Sequence, residues 1–122
     1  MNTMIFKTAC ALVIMLCIGR VSHAQTNAVS QANTSTLVAA KIADRMKDSL
    51  QLSTSQRNSV HDINLQINLL KQDVRSRFTN RDSLTIHIQK IENSRDSLYK
   101  PVLTGQQFNQ YKQKKRFLIT AN

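Results

Sequence analysis

The sequence has almost none of the residues that interrupt helices or build tight turns. It contains one proline, Pro101, and two glycines in 122 residues, and tryptophan is absent. One of the glycines lies in an N-terminal apolar run, so that Gly105 is the only glycine after residue 24. A sheet protein needs turn-forming residues between its strands, and this shortage therefore predicts a helical chain with few breaks.

Groups that usually carry catalysis are equally scarce. Both cysteines, Cys10 and Cys17, lie in the N-terminal apolar run, and after residue 24 the chain has one glutamate, two histidines and no glycine-rich phosphate loop. We therefore predict no enzyme activity, no catalytic residue, no cofactor and no metal site. Neither His61 nor His87 has a second ligand at helical spacing, and His61 is not expected to share a helix face with Asp62. Zinc sensing by these histidines stays a minor alternative.

The first 24 residues have the pattern of a secretory signal peptide. Lys7 is followed by the apolar run TACALVIMLCIG, and Ser22 and Ala24 are small residues at the spacing that signal peptidase requires. The run is shorter than the roughly 20 apolar residues of a membrane-spanning helix. We predict residues 1–24 to be a signal peptide cleaved after Ala24, and the mature protein to be periplasmic.

Positive charge dominates the rest of the chain. Without Lys7 and Arg20, which lie in the predicted leader, 15 basic and 7 acidic residues remain, a net charge of +8. Such an excess in a cytoplasmic protein would suggest nucleic acid. Export argues against nucleic acid and favours acidic polypeptides or an anionic envelope surface as partners.

Hydrophobic periodicity predicts an all-α fold, a small helical hairpin with flanking helices. Residues 25–36 are polar and without period, which is typical of a disordered tail, so the folded domain is predicted over residues 37–122. A domain of this size has a thin core, which favours a dimer. Four helices are predicted. The first begins after Thr36 and ends at Leu50, and the others cover Thr54–Phe78, Arg81–Lys100 and Gly105–Ile119, with Pro101 ending the third.

The same periodicity predicts which faces are buried. Arg95 occupies a core position on the third helix, where its guanidinium is expected to pair with Asp62 or Asp73 on the second helix, or to reach water. The predicted core stripes are Val60, Ile63, Ile67, Leu70, Val74 and Phe78 on the second helix, and Leu84, Ile88, Ile91 and Leu98 on the third.

Two short segments have the pattern of a helix-capping box. In LSTSQ, Leu52 precedes Ser53 and Gln56, and 51 residues later, in LTGQQ, Leu103 precedes Thr104 and Gln107. A Ser or Thr at the N-cap accepts a bond from the N3 amide, while a Gln at N3 returns a bond to the N-cap amide. Each segment therefore predicts a helix start. Leu103 can also pack on Phe108 as a hydrophobic staple, whereas Arg57 takes that position in the first copy.

The doubled pattern, in a small, basic, helical chain with a signal peptide, resembles the LTXXQ family of Spy- and CpxP-type periplasmic proteins. LTGQQ fits the motif fully, and LSTSQ keeps the hydroxyl at Ser53. The resemblance implies an ATP-independent chaperone for unfolded or misfolded envelope polypeptides, built as a dimeric helical cradle. The alternative that it leaves open is an envelope-stress or metal-responsive regulator that binds a sensor-kinase domain.

A candidate surface for clients or for dimerisation follows from side chains outside the core stripes. Leu65 and Leu69 lie about 160° from the main stripe of the second helix, counting 100° per residue, and Phe117 points away from Phe108 and Tyr111. Basic residues near them are expected to make the first contact with acidic partners. The predicted basic members of this surface are Arg75, Arg77, Lys112 and Lys115.

Overall fold

The computed structural model describes residues 24–120, and these form four α-helices and no strand, so the predicted all-α fold is confirmed. The last three helices begin at the predicted residues and end within one residue of the predicted positions. The signal peptide predicted for residues 1–24 lies outside the described residues except for Ala24, so its cleavage stays a prediction. The helices are α1 (Ala24–Leu50), α2 (Thr54–Arg77), α3 (Arg81–Tyr99) and α4 (Gly105–Ile119).

Helix α1 runs through residues 25–36, which corrects the prediction of a disordered tail there. The helix is held against α2 by side-chain amides. Gln72 Nε2 donates to Gln31 O at 3.0 Å and to Ser35 Oγ at 2.7 Å, and Asn68 Nδ2 donates to Ser35 O at 3.3 Å. Ser35 is buried. These contacts bring together residues far apart in sequence, so local composition could not reveal them.

The helices pack around one apolar core. Helix α1 packs against α2, α2 against α3, and α4 against α1. None of the described helices is both long and apolar enough to cross a membrane. The buried core residues are Ile42, Ala43, Met46, Leu50, Leu52, Val60, Tyr99, Leu103, Tyr111 and Leu118.

Two of the predicted core stripes need correction. On α2, Val60 and Ile67 are buried as predicted, but Leu70 is 45 % exposed. On α3 the four predicted aliphatic residues are only partly buried, and the fully buried side chains are Arg95 and Tyr99. The face of α3 that is buried is therefore polar and aromatic, and its side chains form hydrogen bonds at the edge of the apolar core.

Candidate functional site

Both capping boxes are present, as the sequence predicts. At the start of α2, Gln56 N donates to Ser53 Oγ at 3.1 Å and Ser53 N donates to Gln56 Oε1 at 3.0 Å. At the start of α4, Gln107 N donates to Thr104 Oγ1 at 3.2 Å and Thr104 N donates to Gln107 Oε1 at 3.0 Å. Each box satisfies two amides that would otherwise lack a partner at the helix end.

The two boxes also bind each other. Gln56 Nε2 donates to Gln107 Oε1 at 2.7 Å, and Gln107 Nε2 lies 3.3 Å from Gln56 Oε1. Each side chain also reaches the turn before the other box, because Gln56 Nε2 donates to Val102 O at 3.0 Å and Gln107 Nε2 to Gln51 O at 3.4 Å. The doubled motif is therefore a single clasp that joins the α1–α2 turn to the α3–α4 turn.

The leucine of each motif anchors the clasp in the core. Leu52 and Leu103 are both buried. Phe108 packs against the same cluster as Leu103, consistent with the predicted staple. Leu52 has a different role, at the end of α1. It comes directly after Gln51, whose φ is 56°, and its backbone N–H donates to Lys47 O at 3.1 Å. This six-to-one bond and the left-handed residue are those of a Schellman motif ending α1.

Arg95 lies at the centre of a buried polar network, and its partners differ from those predicted. Its side chain is 2 % exposed, and its Nε and Nη2 bind the two oxygens of Glu92 at 2.8 and 3.1 Å in a bidentate pair. Its Nη1 donates to Asn64 Oδ1 on α2 and to the Tyr99 hydroxyl at 3.3 Å. Neither Asp62 nor Asp73 takes part, because Glu92 one turn away on α3 supplies the carboxylate.

The remaining members complete this network. Tyr99 donates its hydroxyl proton to Asn64 Oδ1 at 2.8 Å, while Asn64 Nδ2 donates to Val60 O at 2.7 Å. Lys71 Nζ on α2 binds Glu92 Oε1. Burial raises the pKa of Tyr99, so its hydroxyl keeps the proton that it donates. Asn64 was missed by the sequence analysis, although it interrupts the stripe between Val60 and Ile67 and could have been recognised as a partner for Arg95.

Asp96 connects α3 to α4 through three donors. It accepts hydrogen bonds from the Tyr111 hydroxyl at 2.8 Å and from Lys112 and Lys115, both at 2.7 Å. Burial alone would raise the pKa of Asp96, but the bonds from Lys112, Lys115 and Tyr111 outweigh it and hold the pKa well below its usual range. Lys112 and Lys115, whose contact with partners stays a prediction, bind Asp96 and so connect α4 to α3.

Two of the side chains predicted for a client or dimer surface, Leu65 and Leu69, lie together on α2. Leu65, Leu69 and Leu70 line a shallow depression of about 500 Å³, with Asp62 and Asp73 at its two ends. Leu69 is 43 % exposed. Leu70, predicted for the core, thus joins Leu65 and Leu69. We call these three leucines the α2 strip.

Phe117 is not among the residues that surround the α2 strip. It is 64 % exposed and lines a different depression, together with Arg45 and Arg116. The Arg45 guanidinium lies 5.3 Å from the centre of the Phe117 ring, and Arg45 Nη1 donates to Phe117 O at 2.9 Å. The ring is thus covered on one side by a cation from α1, an interaction that sequence spacing could not predict.

The two predicted arginines of α2 have different surroundings. Arg77 is exposed and binds Asp73 one turn earlier, with Nε 2.8 Å from Oδ1. Arg75 is also exposed, but it lines a cavity between α1 and α2. Of these two arginines, only Arg75 places its charge in the cavity between α1 and α2.

The histidines lie apart from each other. His61 Nδ1 is 3.0 Å from Asp62 Oδ1, while the His61 side chain is 20 % exposed and that of Asp62 is 78 % exposed, as expected of neighbours on different faces of α2. His87 stacks on Phe78 with ring centroids 4.2 Å apart. Within residues 24–120 no group of three or more histidine, aspartate or glutamate side chains could hold a metal ion.

The chain matches no protein-family model, and comparisons with curated proteins and with solved structures found no significant match. The resemblance to the LTXXQ family therefore depends on the two motifs and on the charge and helical pattern of the sequence.

Proposed function

We propose that this protein is an exported binding protein that holds unfolded or misfolded polypeptides without nucleotide. The α2 strip is the observation that carries the proposal. Leu69 and Leu70 are each more than two fifths exposed, and they are adjacent to Leu65 around one depression. All the residues around this shallow depression belong to α2, so it is an open apolar face of one helix. An exposed apolar patch of this kind is typical of a site that contacts apolar segments of another chain.

Charge supports the same function. The chain after residue 24 has a net charge of +8, so long-range attraction speeds encounter with acidic polypeptides. Apolar contacts on the α2 strip then determine how long the complex lasts, because interface contacts act mainly on dissociation. A dimer that places two strips side by side is part of this proposal, and it would offer one client two contacts at once.

The test is suppression of aggregation. The purified protein is mixed, without ATP, with a client that aggregates on dilution from denaturant, and light scattering is followed at near-equal molar ratios. We expect suppression by the natural sequence and a marked loss of it in the double variant Leu69→Ser with Leu70→Ser. Both side chains are exposed, so the substitutions should leave the core intact.

A matched control is available on α3. Ile86 is 67 % exposed and does not line the depression of the α2 strip, so Ile86→Ser removes a similar apolar side chain elsewhere on the surface and should leave suppression unchanged. No suppression by the natural sequence at low and at physiological salt would end the proposal. Suppression that survives the double variant would keep the function but remove the α2 strip as its site.

A further inference from the structure

A cavity of about 240 Å³ lies between α1 and the second half of α2, and it is lined by six polar residues and Val38. Its walls include the hydroxyl-bearing residues Thr34 and Ser35, the amide side chain of Asn68, and the cations Lys71 and Arg75. No carboxylate lines it. A water molecule takes about 30 Å³ of liquid volume, so the cavity has room for a tetrahedral oxyanion with some of its hydration.

Positive charge is in excess beside this cavity. Glu92 is the carboxylate that binds both Lys71 and Arg95, and its two oxygens are already occupied by them. Arg75 adds a third cation. Burial, followed by repulsion from Arg95 and Arg75, lowers the pKa of Lys71 to about 8. Of the two cations on the cavity wall, Lys71 is bound to Glu92, whereas Arg75 has no ion pair within the described residues and so offers a charge that a bound anion would neutralise.

Hydrogen-bond donors remain available at the same place. Ser35 Oγ accepts a bond from Gln72 Nε2, which leaves the Ser35 hydroxyl proton to donate. Asn68 Nδ2 uses one of its two protons on Ser35 O. Arg75 has no hydrogen-bond partner within the described part of the chain, and its guanidinium has five N–H groups in a planar fork that suits phosphate oxygens.

We propose that this cavity binds a phosphate group, with Arg75 and Lys71 supplying the charge and Ser35 and Asn68 supplying oriented donors. The ligand would bridge α1 and α2 beside the contacts that Gln72 makes to Gln31 and Ser35. Binding would therefore stabilise the first half of α1, the part of the helix that depends most on polar contacts. The site is separate from the α2 strip, so this proposal does not depend on the proposed function.

The test is a titration of the purified protein with inorganic phosphate, followed by the NMR signals of its backbone amides, with sodium chloride adjusted to keep ionic strength constant. We expect saturable shifts in residues 34–38 and 68–75, and a rise in the pKa of the Lys71 amine measured in the same samples. Arg75→Gln should weaken binding at least about tenfold, because it removes the charge-assisted hydrogen bonds that the guanidinium would donate to the phosphate oxygens.

Arg77→Gln is the matched control, since it removes the same charge from the same end of α2. Arg77 is exposed and bound to Asp73, so this variant should change phosphate affinity less than about twofold, as expected of a screened surface charge. Equal weakening by Arg75→Gln and Arg77→Gln would overturn the proposal, because it would show only general attraction to a basic surface. Absence of saturable shifts would overturn it as well.

Vesicles distinguish the two sources of a phosphate group. Co-sedimentation with vesicles of an anionic phospholipid that is lost in Arg75→Gln but kept in Arg77→Gln would identify a lipid headgroup as the ligand. Phosphate binding without such co-sedimentation would identify free phosphate or a soluble phosphate ester. In either case the cavity is a phosphate site.

Discussion

Gln56 and Gln107 bind each other across two helix starts, with Gln56 Nε2 2.7 Å from Gln107 Oε1 and Gln107 Nε2 3.3 Å from Gln56 Oε1. Each oxygen also accepts the bond that closes its own capping box. Because every polar atom of the pair has a role, the two motifs act as one structural unit. The clasp explains architecture, whereas the α2 strip carries the proposed function.

A double-mutant cycle on this pair should show strong coupling. We expect Gln56→Ala and Gln107→Ala each to lower the free energy of unfolding by about 2 kcal/mol, because each removes two or more hydrogen bonds at about 1 kcal/mol apiece. The double variant should lose about 1 kcal/mol less than the sum, since contacting residues are not additive. Equilibrium urea unfolding measures these values. Gln106→Ala, at an exposed position in the same turn, is the control, and strict additivity would contradict the clasp.

Helix starts were predictable because their signals are local. Ser53 and Thr104 cap α2 and α4 as the sequence predicts, and Pro101 follows the end of α3. Asn80 caps α3 by accepting bonds from Asp82 N and Ser83 N, and the sequence contained that signal although it was not used. A cap involves residues only two or three positions apart, so sequence alone is sufficient to find it.

Features that depend on the packing of distant residues were not predictable. Gln31 and Ser35 of α1 are bound by Gln72, about 40 residues away, a contact that composition alone could not reveal, and composition therefore indicated a disordered tail. Leu70 fits the periodicity of the core stripe, yet none of the four described helices covers it, and it lies on the α2 strip. The candidate site thus had two of its three leucines predicted, and the third followed only from the way in which the helices pack.

Arg95 should be essential for stability despite its charge. Arg95→Met removes the guanidinium that binds Glu92 and Asn64, and leaves Glu92 with Lys71 alone. We expect the free energy of unfolding to fall by about 3 kcal/mol, as is usual when one partner of a buried pair is removed. Urea unfolding measures the loss.

Two further variants make the Arg95 experiment specific. Arg95→Lys should recover only part of the stability, because an ammonium group cannot form the bidentate pair. Lys90→Met, which removes a cation from an exposed position of α3, is the control and should change stability by less than about 0.5 kcal/mol. A loss of the same size for Lys90→Met and Arg95→Met would argue against the network.

Gln51 is in the left-handed region with φ of 56°, where a side chain carries a steric cost of about 1–2 kcal/mol. Gln51→Gly removes this cost, and the larger freedom of glycine in the unfolded chain offsets part of the gain. We therefore expect the free energy of unfolding to rise by about 0.5–1 kcal/mol. Gln51→Ala keeps the β-carbon and is the control, and an equal gain from alanine would show that relief at the backbone is not the cause.

Stability should fall in acid through Asp96. Its pKa in the folded protein lies below its usual value, despite burial, because Lys112, Lys115 and Tyr111 donate to the carboxylate. The unfolded chain therefore takes up this proton more readily, with a pKa of about 3.9. The stability that Asp96 contributes is fully present well above pH 4 and is lost as the pH falls below it.

Comparison of Asp96→Asn with the natural sequence isolates this contribution. We expect the variant to be less stable by about 2 kcal/mol at pH 7, the usual size for hydrogen bonds to a charged group, and the difference to shrink steadily below about pH 4. Thermal unfolding at a series of pH values measures it. Asp48→Asn, at an exposed position of α1 with no ion pair in the described residues, should show no such convergence. A difference for Asp96→Asn that stays constant from neutral to acid pH would mean that the lysines stabilise the α3–α4 contact without the carboxylate charge.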